Sequence, residues 1–230
     1  NVFIRLQNRN FFYFLFRNRK IIATNYFLKT SYYPSLPKLF VVGHNKTGTS
    51  SINDLFIKNG YKSYHHELGI LSQKIIQNFS SNSKLLRGID DAHLYSDITK
   101  IDGYLSAYNL FPQLDLQYPG SYFIYNYRNL DEWIISRTKH AKYKYIDNCI
   151  HKLNSSHNFN LKSYEDIHKH WRDYFLRHEA MVKKYFEGKN NLIILNINDE
   201  KSKRDFCTKL REIGFDIKDK TLPHSFKTII

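Results

Sequence analysis

Sulfur is nearly missing from this 230-residue chain, which has two cysteines and one methionine. Two thiols, Cys149 and Cys207, cannot build a disulfide framework or a four-cysteine zinc site. They read as free and fix no redox compartment. Long apolar runs are missing too. The longest, Phe11 to Phe16, is far too short to cross a bilayer, so no transmembrane helix is expected. His168, His170 and His178 share one amphipathic stretch but lack the spacing and carboxylate of a metalloprotease motif, so no metal is expected. Acidic residues are scarce beside basic ones: Lys plus Arg number 35 against 21 Asp plus Glu, for a formal net charge of +14. That surplus favours polyanionic partners such as nucleic acid, acidic lipid, nucleotide phosphates or acidic glycans. Hydrophobic residues at 42% and charged residues at 24% are ordinary, which excludes disorder, collagen and coiled coil for the whole.

The length and the lack of a central linker point to one domain. Residues 1–37 form a basic aromatic N-terminal segment, closed by Pro34 and Pro37, and residues 38–230 form the main domain. The segment has charges on both sides of its apolar run and no small-residue cleavage site, so it is not read as a secretory signal. It is read as an extra packed helix, with membrane-surface contact by residues 1–33 as the other option.

From Lys38 onward, strand and helix patterns alternate. Strands are expected at Leu39–Val42, Tyr61–His66, His93–Ile98, Tyr122–Tyr127 and Leu192–Ile197. Helices are expected from Ser51 to Asn59, from Leu130 to Tyr145, after Ser163 with Asp166 as a capping box, and from Lys203 to Ile213. This alternation predicts a single α/β domain with a mostly parallel central sheet flanked by helices and a P-loop-like nucleotide site. Asn78 and Asn154 each open a glycosylation sequon, which carries meaning only in a secreted chain.

The informative stretch is Val42-Gly-His-Asn-Lys-Thr-Gly-Thr-Ser-Ser-Ile52. A strand ends, a turn with two glycines follows, and hydroxyl residues open a helix. Backbone N–H groups and the helix N-terminus then converge on one point, which suits a phosphate or sulfate. Lys46 adds a point charge, and Thr47, Thr49, Ser50 and Ser51 add hydroxyls. In the ATP and GTP loops the lysine follows the second glycine. Here Lys46 precedes Gly48, which argues against a Walker-type NTPase.

The order Lys-Thr-Gly-Thr-Ser-Ser resembles the phosphosulfate loop of sulfotransferases that use 3′-phosphoadenosine 5′-phosphosulfate (PAPS). A second match strengthens it: Tyr122–Tyr127 runs into Arg128, and Ser136 follows eight residues later, the interval of that family. The resemblance extends over Lys38 to His224 and includes Asp90–Asp97, Tyr118–Gly120, the Trp171 helix and Leu192–Ile197. It implies that Asn45, Lys46, Thr47, Gly48, Thr49, Ser50 and Ser51 wrap the 5′-phosphosulfate. It also implies that Lys46 reaches the leaving oxygen, and that Arg128 and Ser136 hold the 3′-phosphate. One departure concerns the C-terminus. Many relatives close over the nucleotide with an Arg-Lys-Gly loop, and here only Leu222 to Lys227 stands there, with His224 and Lys227 as substitutes.

Relatives take the acceptor's proton with a Glu after the second strand or with a His. Glu67 stands at that place and ranks first. His66, a histidine beside it, ranks second. Asp97, after the third strand where open α/β sheets place their ligands, ranks third. The acceptor is a hydroxyl or amine, with an acidic glycan favoured by the net charge. The other reading is a non-catalytic nucleic-acid or polyanion-binding protein, suggested by the charge and the basic-aromatic start.

Overall fold

Leu39, Phe40 and Val41 are apolar, β-prone and almost wholly buried, and they form β1 (Leu39–Val41) at the centre of a five-stranded sheet. The other strands are β2 (Ser63–His65), β3 (Leu94–Ser96), β4 (Tyr122–Tyr127) and β5 (Leu192–Asn196). Their order is β2-β3-β1-β4-β5, and every pairing is parallel. A strand buried on both faces reads as a continuous apolar run, as β1 does. The computed structural model describes residues 30–99 and 107–223. His224, Lys227 and nearly all of the basic N-terminal segment lie outside the described residues.

Seven helices flank the sheet among the described residues: α1 (Thr49–Lys58), α2 (Ile70–Ser80), α3 (Phe111–Gln117), α4 (Leu130–Thr138), α5 (Lys144–His157), α6 (Tyr164–Tyr185) and α7 (Glu200–Glu212). Successive strand residues point to opposite faces, so each strand feeds two cores. Phe40, Tyr95, Phe123 and Tyr125 pack on one face against Leu71 and Ile75 of α2, Leu114 of α3 and Val182 of α6. Leu39, Val41, Leu94 and Ile124 pack on the other face against Ile52 and Phe56 of α1 and Phe206 and Leu210 of α7. A third cluster joins Trp133 of α4, Cys149 of α5 and Trp171 of α6.

Most expected elements form, with edges shifted by a few residues. The capping box of α6 is present: Ser163 Oγ accepts from Asp166 N at 3.2 Å, and Asp166 Oδ2 accepts from Ser163 N at 3.0 Å. The α7 helix begins at Glu200 rather than Lys203, because Asp199 caps it by accepting from the Lys201 N–H. The predicted helix from Leu130 to Tyr145 is two helices. It breaks after Thr138, where Ala141, Lys142 and Tyr143 take φ of 54°, 55° and 68°, and α5 then runs on to His157. Both sequon asparagines are used by the fold. Asn78 is buried and donates to the carbonyls of Leu85 and Arg87, and Asn154 Nδ2 donates to the carbonyl of Leu161. No helix of the described residues is long and apolar enough to cross a membrane.

Candidate active site

In this strand order the connection leaving β1 and the one leaving β4 run to opposite sides, opening a crevice at the carboxyl ends of these two neighbours. Residues 43–48 occupy it. Gly43 has no room for a side chain, because a Cβ would collide with the carbonyl and side-chain oxygens of Asn126. Gly48 takes φ 85°, and a Cβ there would press on Ile197 Cγ2 at 2.9 Å. Lys46 is also left-handed, at φ 65°. Alternation of this kind turns successive N–H groups inward, which makes a concavity for an anion. No side chain caps α1. The N–H groups of Lys46, Gly48, Thr49 and Ser50 have no acceptor among the described residues.

The loop is held from beneath. Asn126, buried in β4, accepts from Gly43 N at 3.1 Å, and its Nδ2 donates to Thr47 O at 2.8 Å and Thr47 Oγ1 at 2.6 Å. Thr47 Oγ1 in turn donates to the His44 carbonyl. The Thr47 side chain is thus spent on the loop's shape. Asn45 is similarly committed: its carbonyl accepts from Trp133 Nε1 at 2.9 Å and its Nδ2 donates to Tyr145 at 3.1 Å. His44 is buried among Trp133, Tyr174, Phe175 and His178, with the Tyr108 hydroxyl 3.1 Å from its Nδ1. Burial, then the neighbouring His178 and Arg137, lower its pKa well below the ordinary value, so it stays neutral.

Lys46 Nζ lies 3.3 Å from Nδ1 of His140, at the end of α4. Burial lowers the Lys46 pKa, the Asp97 carboxylate opposes that, and Arg128 adds to it. His140 is lowered first by burial and then by Lys46, with Asp97 opposing and Arg137 and His66 adding. Lys46, Asp97, Arg128, His66 and His140 therefore form one electrostatic group. Glu67 turns back on its own strand, where Oε1 accepts from His65 N at 3.3 Å. His66 Nδ1 is buried without a hydrogen-bond partner. Ser50 Oγ lies 3.3 Å from Nε2 of His65, whose Nδ1 is 2.9 Å from Ser96 Oγ, so the loop is tied to β2 and β3. Arg128 Nη2 donates to Glu132 Oε2 at 2.7 Å, and that oxygen also accepts from Asn198 Nδ2 at 2.8 Å. Ser136 stands one turn beyond Glu132 on the same helix face, half-buried.

Lys46, His66, Glu67 and Asp97, the residues assigned catalytic work from the sequence, all carry left-handed backbone, at φ 65°, 56°, 48° and 50°. Such conformations cost about 1–3 kcal/mol each and persist where the surroundings impose them, often at functional sites. The residues that sequence reasoning missed are Asn126 and His140. An asparagine inside the apolar run Tyr-Phe-Ile-Tyr-Asn-Tyr was a readable signal for the first. His140 had none, because its contact with Lys46 spans 94 positions. Among the described residues no group of three or more His, Cys, Asp or Glu is placed to hold a metal ion.

No curated protein matches the chain. A family model described as a sulfotransferase domain matches residues 38–212. Those residues run from the start of β1 through the end of α7 and hold the loop, Arg128 and Ser136, so the chain belongs to the sulfotransferase domain family, whose chemistry is the transfer of a sulfuryl group.

Proposed function

We propose that this protein moves a sulfuryl group from PAPS to a hydroxyl or amine of an acceptor. The observation that carries the reading is the loop: four N–H groups, of Lys46, Gly48, Thr49 and Ser50, without an acceptor among the described residues at an uncapped helix start, beside the Lys46 side chain. This donor set fits the oxygens of a 5′-phosphosulfate. Asn45 and Thr47 shape the loop, while Lys46, Gly48, Thr49, Ser50 and Ser51 surround the anion. Arg128 and Ser136 take the 3′-phosphate, with Arg128 leaving Glu132 to do so.

In the transfer, the acceptor oxygen or nitrogen attacks sulfur as the S–O bond to phosphate breaks. Negative charge grows on the departing phosphate, where Lys46 stabilises it more than in the ground state. The acceptor's proton passes to a base drawn from Asp97, His66 and Glu67. Asp97 and His66 are supported by their coupling to Lys46 or His140, and Glu67 by its place after β2. The competing reading, a non-catalytic polyanion or nucleic-acid binder, explains the net charge but not a loop built for one small anion.

The test is thermal. Adenosine 3′,5′-bisphosphate at a hundred times its Kd should stabilise the fold by about 2.7 kcal/mol, a rise in Tm of about 5–11 °C for a chain of this size. Arg128→Ala should weaken that ligand far more than adenosine 5′-phosphosulfate, which lacks the 3′-phosphate. No shift with the bisphosphate, beside a large one with an oligonucleotide, refutes the proposal.

A further inference from the structure

The turn between α4 and α5 carries charge that the nucleotide reading does not use. Lys139, Lys142 and Lys144 stand exposed within six residues, and none pairs with a carboxylate among the described residues. Tyr143 between them is 47% exposed, an aromatic face open to solvent. Both ends of the turn are fastened to the reactive loop. His140 lies 3.3 Å from Lys46 Nζ, and the Tyr145 hydroxyl accepts from Asn45 at 3.1 Å and from Arg137 at 2.9 Å. Between these anchors Ala141, Lys142 and Tyr143 are all left-handed, a conformation that three non-glycine residues hold in a row only under constraint. Lys144, the farthest lysine, is four residues from His140, so each of the three lies within about 15 Å of it.

Resting on the sulfuryl-transfer reading, we propose that this turn is the acceptor-binding rim of the site and that the acceptor is a carbohydrate chain bearing carboxylates or sulfates. Lysines are point charges that follow scattered anions without demanding planar, bidentate geometry, and the turn holds no arginine. The exposed Tyr143 ring gives a sugar ring a flat surface to lie on. A charged glycan also sets many hydroxyls beside its anionic groups, whereas nucleic acid offers few. One such hydroxyl oxygen forms the new S–O bond as the S–O bond to phosphate breaks; its proton goes to the base and the bond's electron pair to the phosphate.

The probe is a size-fractionated heparin oligosaccharide, titrated into the full chain at several salt concentrations, with adenosine 3′,5′-bisphosphate measured in parallel. Replacing Lys139, Lys142 and Lys144 together by Gln should weaken the oligosaccharide by about tenfold or more and lower the slope of log affinity against log salt by about two to three. Bisphosphate affinity should be unchanged. A control triple, Lys84→Gln with Lys184→Gln and Lys218→Gln, removes equal charge from exposed positions elsewhere and should cost less than about threefold. Unchanged heparin binding in the first variant, or equal loss in both, overturns the proposal. So does a greater loss for an acidic tyrosine peptide or a single-stranded oligonucleotide than for heparin. Wild-type protein that binds heparin but not the bisphosphate refutes the underlying reading instead, and is told apart by the parallel titration.

Discussion

Replacing Asn126 by Leu removes hydrogen bonding from beneath the loop while keeping the branched shape and heavy-atom count, so no cavity opens, and its bulkier methyl groups add to the cost rather than offset it. Three bonds are lost, from Gly43 N at 3.1 Å, to Thr47 O at 2.8 Å and to Thr47 Oγ1 at 2.6 Å. Thr47 Oγ1 keeps its bond to the His44 carbonyl. Two groups are therefore orphaned in a buried setting, the Gly43 N–H and the Thr47 C=O. At about 1–3 kcal/mol for each buried unsatisfied group, the cost is about 2–6 kcal/mol. Each kcal/mol shifts Tm by about 2–4 °C in a chain of this size, so the variant should melt at least about 4 °C lower. The loop should also lose its preset shape, weakening adenosine 3′,5′-bisphosphate by about tenfold or more, as pre-organisation is lost. Scanning fluorimetry and calorimetry measure the two effects. A variant that melts within 1 °C or so of wild type, inside the scatter of neutral surface changes, and binds the bisphosphate equally well would show that the loop stands without Asn126.

Three further outcomes are expected. Lys46→Ala should lower kcat by about 10²–10³ with a smaller change in bisphosphate binding; Asp97→Asn, His66→Ala and Glu67→Gln, assayed alongside it, identify the base by a loss of about 10²–10⁴ in kcat. Glu132→Gln releases Arg128 from its ion pair and should tighten the bisphosphate about two- to fivefold, the worth of one exposed pair; weaker binding would show that Glu132 positions Arg128 instead. His178 is buried with Nε2–H donating to the Val42 carbonyl at 2.6 Å, and burial lowers its pKa from 6.5 to about 4. Its neutral form is the folded form, so the unfolded chain binds the proton first and stability falls as pH drops from 6.5 towards 4. At about 1.4 kcal/mol per pH unit that loss reaches about 3 kcal/mol, and His178→Gln should flatten the decline seen in urea midpoints between those pH values.

The fold was legible wherever local chemistry and tertiary role agree. The β4 strand has five β-prone residues out of six, and α6 opens on a capping box and buries Ile167, Trp171 and Phe175 at helical spacing. The phosphate loop was legible because its two glycines answer to steric demands that any side chain would violate. The break between α4 and α5 was not, since Ala141, Lys142 and Tyr143 are not residues that signal left-handed backbone. The α2 helix ends on Ser-Ser-Asn without a glycine or proline stop, and α3, although bounded by Pro112 and by Pro119-Gly120, is only seven residues long, too short to show a helical period; both pack against the sheet. The partners of Lys46 were hidden for another reason: His140, Asp97 and Arg128 leave three different elements, and only the strand order brings them together.

Arg137 is buried to 3% exposure, stacked 4.6 Å from Trp133 and 4.3 Å from Trp171, and pairs with no carboxylate among the described residues. Its field reaches both His44 and His140, on either side of the loop. Lys46 is offset by Asp97 and Arg128 by Glu132, so Arg137 leaves a surplus of positive charge around the loop. Self-repulsion of that kind lowers the stability of the compact state, and an anion seated in the loop relieves it. In a cell, the fraction of this protein that escapes proteolysis would then follow the supply of its anionic ligand.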